Sequence, residues 1–274
     1  MQDTGIESRP DISKITFVTH GRFIMQRGLT FWLMAAAILM STLMQAGCAS
    51  WGPAVADTVW SQKKPDDSKY GWWYARFQIN WPEKTRPSLY LDTMLAHKIV
   101  LPVLNKNRKN IYLWRFHRRA ARDGAGHQFS FIFYASPPAA RKIYRSIAAD
   151  PFLNQLKLAG IVVRHIFDNT DTVVKPGIEA TSDPNWSVQI QKSWPYFIMG
   201  TSQTWLDLIV QLADNTAGEY PPSSLQEIQL FYQQIHTSIT DLWQVEGRHA
   251  FLHHLNAIFG YAPVIVYEKR LMRF

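Results

Sequence analysis

Residues 72–81 read WWYARFQINW, and this stretch sets the pattern for the first half of the fold. Every second position is apolar, while Arg76, Gln78 and Asn80 stand between the apolar positions. A period of two predicts a β-strand with one buried face, and Pro82 is expected to end it. The apolar positions are Trp73, Ala75, Phe77, Ile79 and Trp81.

The residues that follow predict alternating helices and strands. Apolar residues recur at steps of four from Leu91 to Val103, which is typical of an amphipathic helix, although Pro102 lies near its end. A second helix is expected to break near Asp150 and Pro151 and to end at Gly160. The predicted elements are a helix at 87–104, strands at 111–117 and 128–135, a helix at 138–158 and a strand at 161–167.

This order, strand, helix, strand, strand, helix, strand, matches the split β-α-β motif of ferredoxin-like sandwiches. We therefore expect an α+β fold in which residues 71–170 form an antiparallel sheet with two helices on one face. Residues 171–274 are expected to form a mainly helical region packed on that domain.

Three helices are predicted in this C-terminal region. The first carries Trp205, Leu208, Ile209 and Leu212 on one face and is expected to end at Gly218. The second begins at a capping box and buries an apolar stripe, and the third precedes Gly260. The capping box is formed by Ser224 and Glu227, and the apolar stripe by Ile228, Ile235, Ile239 and Leu242. The third helix is predicted at 248–259, and a late strand is predicted at 263–267.

The N-terminal part contains an uncharged apolar run, residues 29–44, which ends just before Gln45-Ala46-Gly47-Cys48. The run has 16 residues, whereas a transmembrane helix needs about 20. It therefore indicates the apolar core of a signal peptide. The small residues and the cysteine that follow resemble the lipobox of bacterial lipoproteins, with Gln45 where Leu is usual. An ordinary signal peptide or a single-span anchor with a chance cysteine is the alternative.

The resemblance implies that Cys48 is acylated, with palmitate among its chains, and becomes the mature N-terminus. Residues 1–47 would then be a signal peptide, and residues 48–70 a lipidated tether. Translation is expected to begin at Met25, because the preceding residues mix acidic and basic side chains whereas Arg27 supplies the usual positive start. Ala49, in place of Asp, resembles lipoproteins sent to the outer membrane. We expect an envelope protein that faces the periplasm, and no family is identified for the mature domain.

Basic residues are concentrated in one segment of the mature chain. Residues 106–122 contain seven basic and no acidic side chains, in a chain whose net charge is +8. One interpretation is that they protect the open edge of the sheet from aggregation. The other is a binding surface for an anionic partner, namely an anionic lipid, a glycan or an envelope protein. The residues predicted to bind this partner are Arg115, Arg118, Arg119 and Arg122.

The histidines provide the competing hypothesis of a metal-dependent envelope hydrolase. His249 and His253 are four residues apart on a predicted helix, near Glu246 and His254, so they are weak candidates for a metal site. A solvated histidine face explains the same spacing. Three further histidines, His117, His127 and His165, fall within predicted strands and are candidates for a convergent site or for structural roles.

Several function classes have no motif in this chain. The sequence contains no nucleophile elbow, phosphate-binding loop or dinucleotide fingerprint. Aromatic residues lie between the basic ones, but the aromatic motif of RNA-binding sheets is missing, so we expect core packing and no nucleic-acid partner. The expected function is therefore binding or assembly, without a cofactor and with the membrane contacted through acyl chains.

Overall fold

The computed structural model describes residues 69–216 and 222–264. All of them belong to one compact unit, residues 59–274. Cys48, the predicted signal peptide, nearly all of the predicted tether, Gly218 and most of the predicted late strand lie outside the described residues. The predictions made for them therefore remain predictions.

The fold is α+β and contains one four-stranded antiparallel sheet in the order β2-β3-β1-β4. Helices follow β1 and β3 along the chain, as the sequence predicts, and further helices follow β4. The strands are β1 (Gly71–Ile79), β2 (Ile111–Ala120), β3 (His127–Ala135) and β4 (Val162–Phe167).

The helices between the strands match the predicted positions, with one local difference. The predicted break near Asp150 is confirmed, since Asp150 caps the second of these helices by accepting the N–H of Leu153 at 2.9 Å. The α-helices of this part are α1 (Tyr90–Leu95), α2 (Leu101–Asn107), α3 (Pro137–Ala148) and α4 (Pro151–Leu158).

The local difference is a π-helical turn, Ala96–Val100, between α1 and α2. The N–H of Leu101 is directed to the carbonyl of Ala96, which is the wider spacing of a π-helix. Pro102 follows at once and has no N–H to donate. The helix therefore widens just before the proline and continues, and the apolar stripe from Leu91 to Val103 stays buried.

One face of the sheet forms the core with α1 to α4. Trp73, Phe77, Phe129 and Phe131 lie on this face and are almost completely buried. Tyr144 of α3 stacks on Phe167 with ring centres 4.4 Å apart, which places the helices on this side. We call it the helical face of the sheet.

The segment that follows β4 covers one end of the opposite face. Trp72 donates its N–H to the carbonyl of Lys175 at 3.0 Å and its indole Nε1–H to the carbonyl of Ile178 at 2.9 Å. Gly71 allows this approach, because a Cβ there would lie 2.6 Å from Cγ1 of Val173. The remainder of this face carries mostly polar side chains, together with Ile132 and Ile166.

The C-terminal region is helical, and its helices are α5 (Val188–Thr216), α6 (Leu225–Gly247) and α7 (His254–Ile258). Ser224 and Glu227 form the predicted capping box at the start of α6. A π-helical turn, Arg248–His253, joins α6 to α7 without a break, so the predicted third helix is a continuation of the second. No helix among the described residues is both long and apolar enough to cross a bilayer.

Helix α5 covers the edge strand β2. The N–H of Phe116 points away from the sheet and donates to Oγ of Ser202 at 3.1 Å, while Trp205 packs its ring edge-on against Phe116. A backbone N–H at a sheet edge otherwise needs water or another strand. The helix therefore protects this part of the edge. Protection of the edge by arginines is one of the two interpretations that the sequence allows.

We predict that Ser202→Ala lowers the free energy of unfolding by about 2 kcal/mol, because the buried N–H of Phe116 loses its acceptor. Thr201→Ala is the control, since Thr201 is the exposed neighbour in the same helix and its hydroxyl bonds only within that helix. Urea unfolding of the two variants measures the difference. Equal midpoints would mean that the contact between Phe116 and Ser202 contributes nothing to stability.

Candidate functional site

The four arginines predicted to bind an anionic partner lie in three different environments. Successive side chains of a strand point to opposite faces. Arg115 and Arg119 of β2 therefore lie on the face opposite the helices, whereas Arg118 lies on the helical face. Arg122 lies in the turn between β2 and β3. The structure brings only Arg115 and Arg119 of this set to a common surface.

The guanidinium of Arg118 is bound by acceptors on α1 and at its start. Its Nε donates to Oδ2 of Asp92 at 2.8 Å, and its Nη2 donates to the carbonyl of Leu89 at 2.9 Å. The guanidinium also lies 4.8 Å from the ring centre of Trp205. These contacts use the guanidinium to join α1, β2 and α5, so Arg118 has a structural role.

Arg122 is held by the loop after β1. Its guanidinium lies 3.5 Å from the ring centre of Trp81. It also donates to the carbonyls of Pro82 at 3.0 Å and Thr85 at 2.9 Å. Arg122 thus fastens the β2–β3 turn to this loop.

The surface that carries Arg115 and Arg119 is defined by the strand register. Residues opposite one another across the sheet form rows, and we call the whole set the polar sheet face. The rows are Arg115, Ile132 and Tyr74; then His117, Ser130, Arg76 and Ile166; then Arg119, Gln128, Gln78 and Arg164.

Most of the arginines on the polar sheet face have partners. Arg76 donates from Nη1 to Oδ1 of Asp168 at 2.8 Å. Arg119 forms a two-pronged pair with Asp123, which holds the pKa of that carboxyl at about 2. Arg164 donates from Nε to Oε1 of Gln78 at 2.6 Å.

Arg115 differs from these three. Within the ranges that the structure describes it forms no ion pair, and its Nε is buried without a hydrogen-bond partner. Burial lowers the pKa of its guanidinium, partly offset by the nearby Tyr74. A half-buried cation without a counter-charge is costly, and an external anion would relieve that cost.

Two cations surround the ring of Tyr74, which lies in the same row of the sheet as Arg115. Nζ of Lys175 donates to the Tyr74 hydroxyl at 3.0 Å and lies 4.4 Å from the ring centre. The guanidinium of Arg76 lies 4.5 Å from the same ring centre. Sequence reasoning missed Arg76 and Lys175, although Arg76 stood on the polar side of the predicted first strand.

His117 lies between Arg115 and Arg119 on the same strand face. Partial burial lowers the pKa of His117, and the positive charges of Arg115 and Arg119 lower it further. The lowered pKa favours the neutral imidazole. It can gain a proton when an anion offsets the charge of the neighbouring arginines.

A second polar cluster lies on the helical face, and its carboxylate and imidazole are completely buried. Oδ1 of Asp92 lies 2.9 Å from Nε2 of His127, and both side chains have no exposed surface. Arg118 binds the other carboxylate oxygen. Sequence reasoning missed Asp92, and the available signal was a carboxylate inside the apolar stripe of the first helix.

The histidine candidates lie in two separate parts of the structure. His249 and His253 stack with ring centres 5.1 Å apart. Of the strand histidines, His117 is on the polar sheet face, whereas His127 and His165 are on the helical face. Across the described part of the chain, no three His, Cys, Asp or Glu side chains are arranged to hold a metal ion.

An open depression of about 490 Å³ lies where β1 ends beside the β2–β3 turn. Its lining includes Trp81, Arg122, Glu83 and Asp123. The two carboxylates offset the single guanidinium among these residues. This depression is therefore a poorer place for an anion than the polar sheet face.

Comparison with known proteins adds no relative: the chain matches no protein-family model, no curated protein and no solved structure.

We predict that Asp92→Asn lowers the free energy of unfolding by about 3 kcal/mol, because it removes one charge from a buried pair. Asp123→Asn is the matched control, since its carboxylate is exposed and its pair with Arg119 is solvated. Urea unfolding should give a clearly lower midpoint for Asp92→Asn alone. Similar midpoints for both variants would contradict a stabilising role for the buried cluster.

Proposed function

We propose that this chain is a lipid-anchored envelope protein whose folded body binds an anionic partner on the polar sheet face. The observation that carries the proposal is the guanidinium of Arg115, which forms no ion pair in the described residues and lies next to His117 on the same strand face. Arg115 also shares a row of the sheet with Tyr74, whose hydroxyl accepts from Nζ of Lys175. Phosphate and carboxylate groups suit such a site, because a guanidinium donates two parallel hydrogen bonds to either. The partner would be an anionic lipid, a glycan or an acidic envelope protein.

The charge layout supports this choice of surface. Arg118 and Arg122 are occupied by internal acceptors, and Arg76 and Arg119 by carboxylates. Helix α5 shields part of the β2 edge at Phe116, so the arginines of β2 are not its sole protection. Arg115 is left as the residue whose environment favours an external anion.

The location is proposed from the N-terminal sequence. The apolar run 29–44 followed by Cys48 resembles a lipoprotein signal, and residues 49–68 would tether the body to the membrane. Two or more acyl chains hold a protein firmly on a bilayer, whereas one is marginal. We place the protein at the outer membrane, facing the periplasm, where it would function in binding or assembly without contacting nucleic acid.

We further propose that residues 71–170 form a ferredoxin-like split β-α-β sandwich. The order β2-β3-β1-β4, with helices after β1 and β3, supports this arrangement. One sheet face then remains available to a partner, and here that is the polar sheet face.

The alternative is a metal-dependent envelope hydrolase that uses His249 and His253. It has less support, because no three His, Cys, Asp or Glu side chains of the described residues are arranged to hold a metal ion. Tight stoichiometric zinc, lost when both histidines are changed to Ala, would favour this alternative.

We predict that Arg115→Gln weakens binding of short-chain inorganic polyphosphate at least about tenfold, because a charge-assisted hydrogen bond is lost. Calorimetry on the full-length protein in detergent at low salt measures the affinity. Arg145→Gln is the matched control, since Arg145 is an exposed arginine of α3 on the other side of the sheet.

The same experiment can be followed at His117 by NMR. Polyphosphate should raise the pKa of His117, because the bound anion offsets the positive charges that lower it. This rise should occur in Arg145→Gln and be absent from Arg115→Gln at equal concentration. Equal affinity of the two variants, with equal changes at His117, would refute the proposed site.

We predict that the expressed protein carries acyl chains at Cys48 and that Cys48→Ala does not. Intact mass and membrane fractionation of the two proteins test this. Recovery of any peptide from residues 1–24 would contradict a start at Met25. An unacylated, soluble wild-type protein would refute the proposed location and leave the polar sheet face to be tested separately.

A further inference from the structure

Helix α6 packs against α1 and α5, and hydrogen-bonding side chains join it to α1 and the turn that follows. The hydroxyl of Tyr90 in α1 donates to Oε1 of Gln229 at 3.1 Å. The hydroxyl of Tyr232 lies 2.8 Å from Nδ1 of His97, which belongs to the π-helical turn after α1. We call this contact the α1–α6 interface. The side chains that α6 buries along its length before Gly247 are Tyr232, Ile235 and Ile239.

The imidazole of His97 fits the α1–α6 interface best when it is neutral. Its ring stands edge-on to that of Tyr232, with the ring centres 5.8 Å apart, and Tyr232 is buried. Burial lowers the pKa of His97, Lys98 lowers it further, and Asp214 of α5 partly offsets both effects. A neutral imidazole can accept the hydroxyl hydrogen of Tyr232, whereas an imidazolium can only donate. Protonation therefore removes the acceptor of a buried hydroxyl group.

A second histidine, His236, lies one helical turn after Tyr232 in α6 and beside a permanent cation. Its Nδ1 is buried and has no hydrogen-bond partner within the described residues. Burial lowers the pKa of His236, Arg118 lowers it further, and Asp92 partly offsets both effects. The carboxylate of Asp92 already binds Arg118 and His127. Protonation of His236 therefore adds a positive charge that this cluster does not neutralise.

Both histidines bind a proton more weakly when the α1–α6 interface is closed than when it is open. In the open form the pKa of each should return to its ordinary value of about 6.5. As the pH falls below this value, the open form takes up protons, whereas the closed form does so only at its lowered pKa. The interface is therefore most stable above about pH 6.5 and loses stability as the pH falls further. For each histidine, one unit of pKa difference changes the equilibrium up to about tenfold.

We propose that the α1–α6 interface is an acid-sensitive switch, in which protonation of His97 and His236 releases α6 from α1 while the sheet and helices α1 to α4 stay folded. Local opening is confined to α6 because one stripe of this helix is buried and its other side chains are largely exposed. Release exposes Tyr232, Ile235 and Ile239. The inference requires neither the lipid anchor nor the anion site on the polar sheet face.

Hydrogen exchange, followed by mass spectrometry, measures this opening in the full-length protein in detergent. Rates are corrected for the effect of pH on chemical exchange. Between about pH 7.5 and about pH 5, we expect the opening of residues 228–239 to increase at least about tenfold. Residues 139–147 of α3 should show no such increase. An equal increase in both segments would indicate general acid unfolding, and either that result or no increase in 228–239 would overturn the proposal.

Two double variants test whether these histidines cause the effect. His97→Gln with His236→Gln removes both titrating groups and should reduce the increase to less than about threefold. A loss of stability that is equal at both pH values cancels in this ratio. His249→Gln with His253→Gln is the matched control, because these histidines are exposed on the continuation of the same helix. The control should keep the wild-type increase.

An unchanged increase in the variant that lacks His97 and His236, or a loss of the increase in the control, would overturn the proposal. The two single variants, His97→Gln and His236→Gln, should each give an intermediate increase. They keep the test decisive if the double variant does not fold, since a wild-type increase in both of them would exclude the two histidines as the cause.

Discussion

The buried carboxylate of Asp92 is the constraint on which the arrangement of the sheet depends. It binds Arg118 of β2 with one oxygen and His127 of β3 with the other. A buried charge is tolerated only where partners surround it. The helix that carries Asp92 is therefore fixed to two adjacent strands, and the strands are fixed in register with each other. A shift of β2 by one residue would remove Arg118 from the carboxylate and bring His117 or Arg119 to the interior.

This constraint also determines the chemistry of the opposite face. Because Arg118 points inward, its neighbours His117 and Arg119 must point outward, and so must Arg115. The strand can carry many positive charges because alternate ones are neutralised on different sides of the sheet. Asp92 neutralises Arg118 on the inner side, and Asp123 neutralises Arg119 on the outer side. Arg115 is left with an uncompensated charge beside Tyr74, and the preference for an anion follows from that imbalance and not from the total charge of the segment.

Sequence patterns predicted those parts of the fold that depend on neighbouring residues. The alternation from Trp73 to Ile79, the break at Asp150 and the capping box at Ser224 are local signals, and the structure confirms each. The widening before Pro102 and the continuation of α6 through Arg248 were not predicted, because nothing in the pattern separates a π-helical turn from an α-helical one.

The prediction that Arg118 and Arg122 bind the same partner as Arg115 assumed that the whole basic segment lies on one surface. The alternation of Trp114 and Phe116 with Arg115 and His117 already divided that run between two faces. The partner of Arg118 lies 26 residues earlier in the chain, and such long-range pairing cannot be read from local periodicity.

The two ends of the helical region illustrate how the same kind of element acquires different roles. Helix α5 places Ser202 and Trp205 against β2, so its apolar and polar side chains are used within the fold. The extension of α6 beyond Gly247 has comparable aromatic content, but its side chains from Arg248 to Val264 are almost all exposed. A helix that depended on tertiary packing would fray at such a place. Here the continuous helix from Leu225 supplies the nucleus, and stacking of Trp243 on Phe251 supports the turn that follows.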